Sequence, residues 1–441
     1  MQRTILKQLI NWHKSKGRKP LIIHGARQIG KTHILKKFGE KYFTQCHYFN
    51  FEDSPELRQI FEFSLKPQKL LESLETVSKK SIDIKKDLII FDEIQSCPKA
   101  ITSLKYFYED LAELALCSAG SLLGLELSPV SYPVGKVDLI EMFPMSFYEF
   151  IEACGETKLL HALINNKKTE EPFHGILWGK LKHYFITGGL PEIVQYYIDS
   201  KHNPVELFTE IRKKQKNLSK FYIADMAKHA GKVNSMHLER LWVNIPAQLA
   251  QSLDGSANKF KLKGQINNIN GFEQIASALD WLNKARIIIK VPIANCGLEP
   301  SMAYTKENTF KLFMFDIGIL GALANLDPIN ILNYDYGTYK GFFAENFVAQ
   351  EAAYAQGSRD HIYSWRENTA ELEFLLKREG KIIPVEVKAG TVTQSKSAKV
   401  FMQKYQSPYR INISAKKLNI DKKTNVYNYP LYLSYEVFND D

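Results

Sequence analysis

Leu21-Ile22-Ile23-His24-Gly25-Ala26-Arg27-Gln28-Ile29-Gly30-Lys31-Thr32 is the stretch on which the fold turns. Three apolar residues in succession read as a short strand buried on both faces, the pattern of a parallel sheet. The next eight residues fit G-x-x-x-x-G-K-[ST], and helical spacing follows over 32–42. A glycine turn between a strand and a helix is the context in which that spacing binds phosphate. Gly25 and Gly30 let the N–H groups of Ala26, Arg27, Gln28 and Ile29 turn inward around phosphate oxygens, and the helix adds its positive N-terminal end. Lys31 is then placed to bridge the β- and γ-phosphates of ATP, and the Thr32 hydroxyl to hold Mg²⁺. The alternative is a glycine-rich turn that fits the pattern without a ligand.

Working outward, His47-Tyr48-Phe49-Asn50-Phe51, Leu88-Ile89-Ile90-Phe91 and Leu114-Ala115-Leu116-Cys117 read as further strands, with helical spacing at 55–77 and 99–112. Strands alternating with helices predict a doubly wound α/β sheet, here a P-loop NTPase parallel sheet. The run 88–91 ends in Asp92-Glu93, a carboxylate pair at the end of a strand where such sheets bind ligands. Asp92 is the candidate to hold Mg²⁺ through water, and Glu93 the candidate base that orients and deprotonates the attacking water. An Asp-Glu pair is also a common solvated strand end. Ser118 and Ser121, after the strand at 114–117, both qualify as γ-phosphate sensors or as simple strand caps.

From about 147 to 250 the pattern is mainly helical, and helices closing on Ile287-Ile288-Ile289 predict a winged helix-turn-helix. A helix over 342–354 then leads into strands at 361–365, 371–376 and 382–387, a small mixed α/β domain. Three domains are expected: 1–155, 156–330 and 331–441. There is no fixed-period repeat and no low-complexity tract.

The segments 18–32, Phe91-Asp92-Glu93-Ile94-Gln95 and Phe143-Pro144-Met145-Ser146-Phe147-Tyr148-Glu149-Phe150 together resemble the prokaryotic AAA-type ATPases. They are most similar to the branch with a long C-terminal domain of unknown function. Thr187-Gly188-Gly189-Leu190-Pro191-Glu192 and Lys311-Leu312-Phe313-Met314-Phe315-Asp316-Ile317-Gly318 resemble markers of that C-terminal region. The resemblance implies ATP as ligand, Mg²⁺ as cofactor and hydrolysis to ADP. It also implies a homo-oligomer, because such sites often borrow an arginine from a neighbouring subunit. Lys136 stands where the family often has Gly-Arg, and is either a charge near the γ-phosphate or a solvated loop residue. Arg212 and Arg240 are the other candidates for a finger.

A second constellation comprises Glu345 on the helix over 342–354, Glu373, and the pair Glu386 and Lys388, which share one face of a strand. It resembles a restriction-endonuclease-like core, in which carboxylates bind Mg²⁺ or Mn²⁺ and the lysine assists the attacking water. The family usually has Asp where Glu373 stands, and metal geometry tolerates little slack. The other reading is a charged outer face on a small sheet.

Composition narrows the class. The 441 residues are 45% hydrophobic and 24% charged, the balance of a globular protein. The net charge of +10 equals the excess in residues 1–39, which hold ten bases and no acid, so a uniformly basic coat is excluded. Part of that excess (Arg27, Lys31, Lys36, Lys37) is matched by a nucleotide's own charge. Local basic runs at 212–220, 259–263 and 377–423 leave DNA as a partner. Five cysteines without CxxC spacing suit a reducing cytoplasm. No apolar run approaches a membrane span, and the basic N-terminus runs into the first strand with no room for a cleavage site. Three functions follow: an ATPase coupling nucleotide state to DNA-binding C-terminal domains, a slow nucleotide switch or scaffold for a protein partner, or an ATP-gated, metal-dependent DNA nuclease.

Overall fold

A computed structural model describes residues 1–121, 133–166, 173–253, 272–334, 337, 339–391 and 396–439. The chain divides into two compact units, Met1–Phe143 with Lys284–Arg286, and Pro144–Asn283 with Ile287–Asp441.

The first unit is built on five parallel strands, β1 (Leu21–His24), β2 (Cys46–Asn50), β3 (Leu88–Asp92), β4 (Ala115–Gly120) and β5 (Asp138–Glu141), in the order β2-β3-β4-β1-β5. The uninterrupted apolar runs became the inner strands β1, β3 and β4, while β2 alternates buried and half-buried residues at an edge. Registers place Ser118 of β4 beside both Ile22 of β1 and Phe91 of β3. The phosphate-loop strand and the carboxylate strand are therefore separated by one strand.

Helical spacing at 55–77 resolves into two helices, Pro55–Phe63 and Pro67–Ser78. Proline at the first position starts each, and Pro67 disfavours a helical Lys66, which breaks the run. Phe91 anchors the core: its ring meets Phe51 and Phe61 edge-on at 5.4 and 5.5 Å, and Phe49 and Phe107 at 6.3 and 6.2 Å. That packing fixes the backbone immediately before Asp92.

The second unit combines the helices within 147–283 with an eight-stranded mixed sheet. Its strands are β6 (Ile288–Ala294), β7 (Thr305–Met314), β8 (Tyr363–Glu367), β9 (Ala370–Arg378), β10 (Lys381–Val387), β11 (Arg410–Ser414), β12 (Asn419–Asp421) and β13 (Val426–Pro430), in the order β12-β13-β11-β10-β9-β8-β6-β7. The expected wing is not a free ribbon. β6 and β7 pair with each other, and β6 joins β8, making the two strands one margin of the C-terminal sheet. Their apolar residues are consumed by that sheet, which local patterning could not show. The helix Tyr339–Ala355 is buried all round, with Phe342 to Ala353 lacking exposed residues, so it is the unit's central element.

The markers at 187–192 and 311–318 interlock here. The Gly189 N–H donates to Asp316 Oδ2 at 2.6 Å, and the Met145 N–H donates to the Gly189 carbonyl at 2.7 Å. Gly188 has φ +67° and lies against the Asp316 carboxylate, where a Cβ would collide. Arg212 is buried in the same knot, donating to the Gly318 carbonyl and Gln215 Oε1, both at 2.8 Å. These motifs are packing devices of the second unit.

Among the described residues no helix is long and apolar enough to cross a membrane, and all five cysteines are free thiols.

Candidate nucleotide site

β1 ends at His24, and the chain turns through Gly25 (φ +152°), Gln28 (φ +62°) and Gly30 (φ +91°) before the helix Lys31–Tyr42. At Gly25 a Cβ would stand 2.3 Å from the Met142 carbonyl oxygen, so only glycine fits. The helix has no side-chain N-cap and no acid in its first turn, leaving its leading N–H groups and positive end to the loop. Arg3 fastens the loop from behind, donating to the Ile29 carbonyl at 3.0 Å and the Phe143 carbonyl at 2.7 Å. One of the ten N-terminal bases is thus a buried strut.

Lys31 is buried, and its ammonium donates to the carbonyls of Gly25 at 3.0 Å and Ala26 at 2.8 Å. Burial pulls its pKa down to about 8, against the pull of Glu93 and Asp92. Asp92 is also buried and collects three donors. Thr32 Oγ1 and the Tyr48 hydroxyl both reach Oδ2 at 2.8 Å, and the Glu93 N–H reaches Oδ1 at 3.1 Å. A hydroxyl and a carboxylate brought together across sixty residues form an oxygen-only donor pair, which suits Mg²⁺.

Glu93 is half-buried with φ +47°, and Gln95 Nε2 donates to its carboxylate at 2.5 Å. Ser121 accepts from Arg27 Nε at 3.2 Å and so touches the loop. Ser118 is fully buried between β1 and β3 with no hydrogen-bond partner for its hydroxyl among the described residues. Of the two serines, Ser121 is the one brought to the phosphate turn.

Tyr48 and Gln95 were not legible as site residues. Tyr48 reads as one aromatic in a strand, and only the pairing of β2 with β3 sets it beside Asp92. Gln95 carries a signal in its position two residues after Glu93. Lys136 pairs with Glu109 at 3.2 Å, a solvated-loop role. Arg212, buried in the second unit's knot, is no free finger.

The C-terminal constellation is differently arranged. Lys388 Nζ lies 2.9 Å from Glu386 Oε1, and Glu373 Oε2 accepts from the Val387 N–H at 3.1 Å. Glu345 is 3.5 Å from the buried ammonium of Lys311, which also sits 2.8 Å from Glu371. Neither Lys311 nor Glu371 was a site residue on sequence grounds.

A glycine phosphate loop opening a helix, a buried lysine on that helix and a strand-end Asp-Glu pair define a P-loop nucleotide-binding domain of the ATPase type. Residues 17–151 match the family model described as AAA domain, and the first unit is a P-loop AAA domain. Residues 179–330 and 340–432 match two domains of unknown function, DUF8612 and DUF4143. No protein with a curated description matches the chain.

Three solved structures illustrate how distant the neighbours are. Caenorhabditis PCH-2 (C. elegans) is 11% identical over 48% of this chain and 67% of its own, with a TM-score of 0.31. Aeropyrum pernix ORC1, solved in complex with DNA, is 13% identical over 75% and 95%, at 0.29. The Thermotoga maritima RuvB Holliday junction branch migration motor is 11% identical over 66% and 90%, at 0.32. Overlaps this loose carry no argument about ligand or partner.

Proposed function

We propose that the chain binds ATP with Mg²⁺, hydrolyses it, and uses the difference between the ATP and ADP states to control its C-terminal unit. The observation that carries this reading is the convergence on Asp92, where Thr32 from the phosphate loop meets the acid that precedes Glu93. Lys31 exchanges the Gly25 and Ala26 carbonyls for the β- and γ-phosphates. Thr32 and Asp92 hold Mg²⁺, which when bound supplies positive charge to the phosphate oxygens. Glu93 accepts the proton of the water that attacks the γ-phosphate in line, and Ser121 stands at the loop through its bond from Arg27.

Single-turnover hydrolysis tests the reading. Glu93→Gln keeps ATP binding and slows hydrolysis by about 10²–10⁴-fold, as loss of a general base does. Equal, slow rates in wild type and variant would leave a nucleotide switch or scaffold for a protein partner. One observation favours that second reading: Gln95 already holds the Glu93 carboxylate.

DNA is the proposed partner of the second unit on narrower grounds than the basic runs offered. In 212–220, Arg212 is buried, Lys213 pairs with Glu210 and Lys216 donates to Asn325. In 377–423, Lys377, Lys388 and Lys404 are paired with acids. Lys259, Lys261 and Lys263 lie outside the described residues. Lys416, Lys417, Lys422 and Lys423 are four bases within eight positions that flank β12. Contacts from these four predict that DNA affinity falls about 10²-fold or more between 50 and 200 mM salt, with a slope that flattens when they are changed to alanine. Salt-independent binding removes DNA as a partner.

A further inference from the structure

The nuclease-like constellation invites a divalent ion, and its donor set does not fit one. Mg²⁺ and Mn²⁺ take one or two carboxylates at about 2.1 Å together with water or phosphate oxygens, and an ammonium seated among those carboxylates competes for the same place. Here each expected ligand is already engaged by a different donor: Glu345 by Lys311, Glu373 by the Val387 N–H, and Glu386 by Lys388. Among the described residues no group of three His, Cys, Asp or Glu side chains is placed to hold a metal.

Lys311 is the unexpected component. It sits on β7, three strands along the sheet from β9, yet its ammonium reaches Glu371 of β9 and the rings of Phe313 and Phe374 lie 6.0 Å apart. Its side chain is 4% exposed, and its ammonium stands between Glu345 of the central helix and Glu371 of β9. Glu371 and Glu373 are two apart on one strand and so face the same side. A cationic side chain therefore lies inside the carboxylate cluster, against an acid of the helix on one side and an acid of β9 on the other.

We infer that Lys311 supplies, from within the chain, the positive charge that a divalent ion supplies in a metal-dependent nuclease core. Glu345 and Glu371 are accordingly paired with Lys311 and Glu386 with Lys388, and this unit does not cleave nucleic acid through a bound metal. The inference is independent of the ATP reading, because its test contains no nucleotide.

The experiment is Mn²⁺ titration of the full chain without nucleotide, followed by electron paramagnetic resonance and by thermal melting. The background is Thr32→Ala with Asp92→Asn, so that the phosphate-loop site takes no ion. In that background the otherwise native chain takes up no Mn²⁺, and its melting temperature is the same in Mn²⁺ and in EDTA. Adding Lys311→Met opens the cluster: Mn²⁺ binds at least 10-fold more tightly, raises the melting temperature, and is lost again on adding Glu345→Gln. Uptake before Lys311 is changed, abolished by Glu345→Gln or Glu373→Gln, overturns the inference. So does a folded Lys311→Met chain that gains no Mn²⁺. Should Lys311→Met not fold, the chain with Lys311 intact decides: no uptake upholds the inference, and uptake sensitive to Glu345→Gln refutes it. Plasmid cleavage by the wild-type chain in Mn²⁺ that disappears in Lys388→Ala also refutes it.

Discussion

Lys31 carries a pH signature at the phosphate loop. Burial has lowered its pKa to about 8 in the ligand-free chain, below the ordinary lysine value of 10.5. Phosphate oxygens favour the ammonium, so nucleotide binding raises that pKa and takes up a proton when the pH lies between the two values. ATP affinity is therefore flat below about pH 8 and declines above it, by up to about tenfold per pH unit. Calorimetry at pH 9 in buffers of differing ionisation enthalpy checks this, and heats that do not depend on the buffer would count against it. The sign for folding is the reverse. The ligand-free domain gains stability as pH rises from about 8 towards 10.5, because the unfolded chain holds the proton longer.

At this scale the motif was fully legible, because a phosphate nest is made by consecutive backbone N–H groups and needs only contiguous sequence. Tyr48 and Gln95 escaped notice for opposite reasons. Tyr48 reaches Asp92 across a strand pairing, while Gln95 is adjacent in sequence but its amide has no chemistry of its own to announce a role.

Among the elements, the strands were easiest to anticipate and their partners hardest. Expected runs at 361–365, 371–376 and 382–387 appear as β8, β9 and β10 within two residues at each end. The run at 287–289 also became a strand, but its hairpin joins β8 rather than standing as a wing. An apolar run specifies that it will be covered and leaves open by what. The marker around Gly188 and Gly189 shows the converse, a local pattern whose reason is tertiary. A Cβ on Gly189 would sit 2.1 Å from the Met145 carbonyl oxygen, which is backbone and cannot step aside. Gly189→Ala is expected to destabilise the second unit by about 1–3 kcal/mol, the usual cost of overpacking. Its urea midpoint should drop while the first unit still binds nucleotide. An unchanged midpoint would mean the knot has slack.

For the whole molecule, two buried carboxyls of the second unit carry a pH response opposite in sign to that of Lys31. In the second unit burial raises the Glu351 carboxyl to about 8, although the Phe147 N–H donates to it at 3.0 Å. Burial likewise raises Asp316 to about 6, against three backbone N–H donors and Arg212. Folded carboxyls that hold protons longer than unfolded ones favour folding at low pH. That contribution is lost as pH climbs from the unfolded value near 4.5 through about 8. Between pH 5 and pH 8 the second unit should lose stability on the order of 3 kcal/mol from Glu351 alone. Glu351→Gln, which keeps an acceptor for Phe147 without an ionisation, should flatten the melting temperature over that range. A variant that keeps the wild-type slope would show that Glu351 is not its source.

The sequence by itself determined the glycine turn between strand and helix, the parallel sheet that carries it and the existence of a mixed C-terminal sheet. These rest on consecutive residues and on periodic burial, both local properties. The tertiary structure alone decided how the charges are matched. Glu345, Glu373, Glu386 and Lys388 read as a metal site when taken by themselves. Lys311, thirty-four residues from Glu345, pairs with it, while Lys388 pairs with Glu386. A buried charge is governed by whatever ion lies within a few ångströms, and sequence distance carries no information about that.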